Sequence, residues 1–172
     1  MSGISVNATG KVYINEHHHH SHARWLAAAA VAVGETHVAD RIGPTAQTAF
    51  HLDAGNDTWG AWVQVLGSTD TPVAPHSLFF DPHYIFVTAS ERTTPYILQF
   101  GHGASGAIAL TDDEVTDFIY NSTGAGAVAD RSAVEVHTDR HAKGTKVWAR
   151  CFCPGQNTGT IDFYLGLHEY LT

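Results

Sequence analysis

The sequence predicts an all-β fold of antiparallel strands, and three observations predict it. Apolar side chains recur with a period of two through most of the chain. Short runs of this kind are separated by clusters of Gly, Asp, Asn, Ser, Thr and Pro. Regular alternation of strand-like and helix-like segments, the signature of a parallel sheet, is missing. At 172 residues the chain suits one domain with a short arm and can bury a real core.

The N-terminal stretch, residues 1–34, differs in character from the remainder of the chain. It is read as an extended N-terminal arm, with a β-sandwich domain over residues 35–172. The arm holds a short apolar segment with Tyr13, the run His17-His18-His19-His20-Ser21-His22, and then Ala23-Arg24-Trp25. The Ala-rich segment 26–33 fits either a short helix, which Ala favours, or a buried strand. Beyond it the period is two. Residues 59–66 put Trp59, Ala61, Val63 and Val65 on one face, with Trp62 of opposite parity. Residues 83–89 set Ile85 and Val87 against Tyr84, Phe86 and Thr88, and residues 95–100 align Tyr96, Leu98 and Phe100.

Thr111-Asp112-Asp113-Glu114 spells a capping box, so a helical turn could begin there, but residues 116–120 read better as strand. Val134 and Val136 share a face. Residues 146–153 and 160–171 come next as strands, the last clearest: Ile161, Phe163, Leu165 and Leu167 face one way, Asp162, Tyr164, Gly166 and His168 the other.

Hydrophobic residues make up 44% and charged residues only 15%, an ordinary core content under a weakly charged surface. Such an exterior suits packing against protein neighbours. The net charge is −8 and no Lys/Arg run occurs, which argues against a nucleic-acid partner. Thirteen histidines mean that acidification removes much of the negative charge. No signal peptide is visible, and the 26–33 run is too short to span a bilayer. The expectation is synthesis as a soluble intracellular (cytoplasmic) product with no membrane partner, and the sequons at Asn7, Asn56 and Asn121 are then accidental. Cys151 and Cys153, about 7 Å apart on one face of a strand, are expected to be buried free thiols.

Gly101-x-Gly103-x-x-Gly106 matches the dinucleotide fingerprint by letter. Without a long helix after it or a parallel sheet around it, it reads as a glycine-rich loop. Ser105 lacks the G-x-S-x-G spacing of a nucleophile elbow, and the histidines lack the H-x-H-x-x-x-E spacing of cupins. No catalytic residue is therefore assigned, and the expectation is a protein that is not an enzyme and carries no resident cofactor. His83 and His168 are read as hydrogen-bonded structural residues.

The histidine run supplies the one candidate metal site. His18, His20 and His22 would project from one face of an extended arm, about 7 Å apart. One chain offers too few convergent nitrogens for a tetrahedral ion, but copies around a three-fold axis would surround a divalent metal. The plain alternative is a polar arm touching a neighbour. A solvent-side Trp62 is a candidate for glycan stacking or for a subunit interface.

Two regions carry a resemblance. The early His17–His22 run followed by Ala23-Arg24 is the first. The second comprises Phe80-Asp81-Pro82-His83-Tyr84-Ile85, Pro95-Tyr96-Ile97-Leu98-Gln99-Phe100-Gly101 and the ending Ile161-Asp162-Phe163-Tyr164-Leu165-Gly166-Leu167-His168-Glu169-Tyr170. Together these resemble a loosely defined family of small virion structural proteins encoded among head and tail genes of tailed phages. The resemblance implies an antiparallel jelly-roll-like β-sandwich on the virion surface, a homotrimer, and contacts with the major capsid protein. It transfers no catalytic residue. On this reading the chain is a capsid decoration, cement or head-spike-base subunit, with Tyr13, Trp25 and the His run as anchors and Trp62 as a further interface residue. The alternatives are a glycan-binding host-attachment module and a small metal-dependent jelly-roll enzyme.

Overall fold

The computed structural model describes residues 4–6, 12–14, 21–28, 39–41, 48–67, 77–122, 126–127, 133–155 and 158–170. Fourteen strands lie among them. They are β1 (Ile4–Val6), β2 (Val12–Ile14), β3 (Ser21–Ala28), β4 (Ala39–Arg41), β5 (Phe50–Ala54), β6 (Val63–Leu66) and β7 (Phe79–Ser90). The rest are β8 (Tyr96–His102), β9 (Val115–Tyr120), β10 (Gly126–Ala127), β11 (Val134–Glu135), β12 (His141–Ala142), β13 (Val147–Phe152) and β14 (Gly159–Tyr170). One short helix, α1 (Gly106–Thr111), interrupts them. The strands form two antiparallel sheets beside a β1–β2 hairpin, in keeping with the all-β sandwich that period-two patterning predicts.

The larger, eight-stranded sheet is centred on the two 12-residue strands β7 and β14. The far edge of β14 is met by β5 over Gly159–Phe163 and by β3 over Leu165–Glu169, with β4 beyond β3. The far edge of β7 is met in turn by β12, β11 and β10. The smaller sheet has the order β6-β13-β8-β9.

One core fills the space between them. Ile161, Phe163, Leu165 and Leu167 of β14 are fully buried, as their shared parity requires, and Ile85 and Val87 of β7 join them. Tyr96, Leu98 and Phe100 come from the facing sheet, and Phe100 meets Phe163 edge-on at a centroid distance of 6.1 Å. Cys151 and Cys153 are free and buried, as expected of a C-x-C on one strand face. Burial, reinforced by Asp53 and Cys153, pushes the Cys151 thiol up to about 12. Native protein at pH 8 is therefore expected to consume no thiol reagent, with two equivalents reacting after denaturation. Stoichiometric labelling of the folded chain would contradict this packing.

The Ala-rich segment is strand through Ala28: Leu26 and Ala28 face the core, and Ala27 between them is buried on the opposite face. Since β3 pairs with β14 inside the large sheet, residues 21–28 of the stretch read as an arm belong structurally to the sandwich.

A helix does begin near the glycine triplet, but it is capped by Ser105, whose hydroxyl accepts from the Ile108 amide at 3.2 Å, and it lasts six residues. The Thr111 capping box starts no helix. Asp112 closes α1 there, and Asp113 turns through a positive φ of 60° into β9.

Candidate functional site

The outer face of the large sheet, at the end where β7 and β14 run side by side, gathers most of the chemistry. Strand alternation puts His168 and Tyr170 of β14 there, opposite Asp81 and Phe79 of β7. His83 reaches the same face by a different route. Gly166 pairs with Tyr84 and Leu167 with Pro82, so His83 is an extra residue, a β-bulge. The bulge sends the His83 and Tyr84 side chains to one side, and His83 stacks on His168 with centroids 3.5 Å apart and planes 22° apart.

Asp81, His83 and His168 each offer a ligand atom, and these three atoms lie within 4.8 Å of one another. Asp81 Oδ1 is 3.4 Å from His83 Nδ1 and 3.9 Å from His168 Nδ1. The same Oδ1 is buried and accepts no hydrogen bond among the described residues. Its sister Oδ2 accepts a 2.6 Å bond from the Tyr170 hydroxyl. Burial first, and then the Asp81 bond, push that phenol up to about 12, so Tyr170 remains a donor at any physiological pH.

On the far side of the His83 ring, Nε2 sits 2.9 Å from Glu135 Oε1 on β11. Arg140 covers the Tyr170 ring at 3.8 Å. The group thus has two imidazoles and a carboxylate in front, with a second carboxylate and a phenol holding them from behind. Such a set can bind a divalent transition metal or share a proton.

Trp25, predicted as an anchor, lies close by on this face. Leu26 faces inward, so Trp25 faces out, over Gly166, with Tyr84 6.4 Å and Phe86 6.2 Å away. A Cβ at position 166 would come within 3.1 Å of the Tyr84 Cβ and 3.3 Å of the Trp25 ring, so glycine lets the two rings close over the strand.

Trp62 directly precedes β6 of the other sheet and is half-buried. Arg150 lies 4.3 Å over its ring and 4.5 Å over that of Trp59. Gly106, at the start of α1, touches the indole: a Cβ there would stand 2.2 Å from it. Replacing Gly106 with Ala must displace a rigid ring. We expect a shifted tryptophan emission and a loss of about 1–3 kcal/mol in denaturant titration, and unchanged emission would refute the contact.

Of the other predicted site residues, His18 and His20 lie outside the described residues. For His22 and Tyr13 the structure describes only the strand backbone, in β3 and β2.

A second histidine pair closes one end of the core. His102 on β8 and His141 on β12 face inward from opposite sheets and stack at 3.5 Å, 19° from parallel. Both Nε2 atoms are buried without a hydrogen-bond partner among the described residues. Burial, with His141 alongside, pulls His102 down to about 3, and burial also lowers His141. Both rings are neutral in the fold.

The chain matches no family model, no curated protein and no solved structure.

Proposed function

We propose that the chain is a virion structural protein: a capsid decoration or cement subunit, or the base of a head spike, that stabilises the particle through subunit contacts. The observation that carries the reading is nested strand pairing. The first strands of the sandwich, β3 and β5, pair with the last, β14; β6 pairs with β13; β7 pairs with β10, β11 and β12; β8 pairs with β9. A long antiparallel ribbon rolled into two sheets produces this nesting, which supports a jelly roll, a fold that recurs in viral capsid domains.

Fold alone does not choose among functions. The weakly charged exterior favours protein neighbours, as do Ile108 and Leu110, both 47% exposed on α1, and Ile119, 63% exposed on β9. The proposed partners are other copies of the chain, as a trimer, and the capsid shell. The proposed place is the virion surface, and the work is adhesion rather than turnover.

The test is particle composition. Purified virions of the phage whose genome carries this gene should contain the chain in many copies, and particles assembled without it should release DNA at a lower temperature. Particles that never contain the chain would overturn the reading. Glycan attachment, the second reading, needs an open indole face, and Trp62 is already engaged by Arg150 and Gly106. The Asp81–His83–His168 trio is the one observation that favours a small metal-dependent enzyme. Metal-dependent turnover abolished by Asp81→Asn would establish that instead.

A further inference from the structure

We infer that Asp81, His83 and His168 form a binding site for one divalent transition-metal ion on the outer face of the large sheet, distinct from the histidine run. Three features carry the inference. The first is spacing. Ligands about 2.0–2.1 Å from a tetrahedral zinc ion stand about 3.3 Å from each other. The Asp81 Oδ1 to His83 Nδ1 distance is 3.4 Å, and the one to His168 Nδ1 is 3.9 Å. Direct imidazolium–carboxylate hydrogen bonds would draw in to about 2.7–2.9 Å.

The second is the state of the facing atoms. In the tautomer in which His83 donates its Nε2–H to Glu135, its Nδ1 bears a lone pair 3.4 Å from a buried Asp81 oxygen that accepts no hydrogen bond among the described residues. In that tautomer two lone-pair-bearing atoms face each other, one of them a buried carboxylate oxygen, and a cation between them relieves the repulsion.

The third is the support behind the ligands. A ligating histidine ordinarily donates its other N–H to a carboxylate, and a ligating carboxylate is itself hydrogen-bonded. Glu135 behind His83 and Tyr170 behind Asp81 fill both roles. Two imidazoles with one carboxylate suit zinc, cobalt, nickel or iron(II) rather than calcium or magnesium. Water would complete the set.

Binding demands one rearrangement. Lone pairs of rings only 22° from parallel run side by side, so the stack must open for both nitrogens to aim at one ion.

The test must separate this site from the run at positions 17–22. The full-length chain carrying H17S, H18S, H19S and H20S, stripped with chelator, is titrated calorimetrically with zinc chloride. One equivalent per chain should bind, and saturating zinc should raise the melting temperature. Adding D81N and H83Q should abolish both signals. A quadruple variant with native near-UV circular dichroism that takes up no zinc would overturn the inference, whatever becomes of the further variant. So would full uptake by a folded chain lacking Asp81 and His83.

Discussion

Lowering the pH from 7 to 4 is expected to strip several kcal/mol from this fold, with the His102–His141 stack as a principal cause. An unfolded histidine titrates near 6.5, whereas His102 in the fold is held down to about 3. Above pH 6.5 neither state binds the proton, and the depressed group leaves stability at its full value. As the pH falls from 6.5 toward 3, the unfolded chain takes up a proton that the native chain refuses. Stability then drops by about 1.4 kcal/mol per pH unit, for a total on the order of 4–5 kcal/mol from His102 alone.

Domains of this size are stable by only about 5–15 kcal/mol, so the effect is large. His51 works the other way on a small scale. Its hydrogen bond to Asp162 raises it, so its contribution is present in acid and fades as the pH rises through its folded pKa, but it is exposed. Urea midpoints at a series of pH values, compared between the native chain and His102→Phe, isolate the term. The gap between the two proteins should close or reverse by about 1 kcal/mol per unit below pH 6. Parallel curves would show that the stack is not the acid-sensitive element.

Phe163→Ala is expected to cost about 3–5 kcal/mol. Phe163 is wholly buried, its ring centroid 5.7 Å from that of Phe50 within its own sheet and 6.1 Å from that of Phe100 in the facing one. Truncation removes a large apolar surface and leaves a cavity flanked by two aromatic rings that cannot both collapse into it. Tyr164→Ala, one residue on and facing outward, should cost far less. Equal losses in denaturant titration would mean that the strand is registered the other way round.

Much of this architecture was legible because burial on β14 follows side-chain parity residue by residue from Ile161 to Leu165, and Leu167 keeps the inward parity even though Gly166 before it is covered as well. Free, buried Cys151 and Cys153 were legible for the same reason. The candidate site was not, and the cause is the bulge at His83. Read with strict alternation, His83 shares the face of Ile85 and would enter the core. One extra residue opposite Gly166 and Leu167 turns it out beside His168. A proline at position 82, which cannot donate to a ladder, next to a glycine on the partner strand was the signal that could have exposed it.

The placement of His141 opposite His102 was hidden for another reason. It depends on a two-residue strand, β12, too short to carry any periodicity of its own. The Ala-rich segment could not be decided locally either, because alanine's helical preference is overridden by the β14 edge that β3 completes.

The three short strands that meet β7 one after another have a consequence for how copies of this chain can associate. A single long border strand would offer a neighbour an unbroken row of amides and carbonyls to extend, which is the usual start of fibre growth. Here that border is divided among β12, β11 and β10, each two residues long, with intervening chain between them. Side-by-side polymerisation through that border of the large sheet is thereby discouraged.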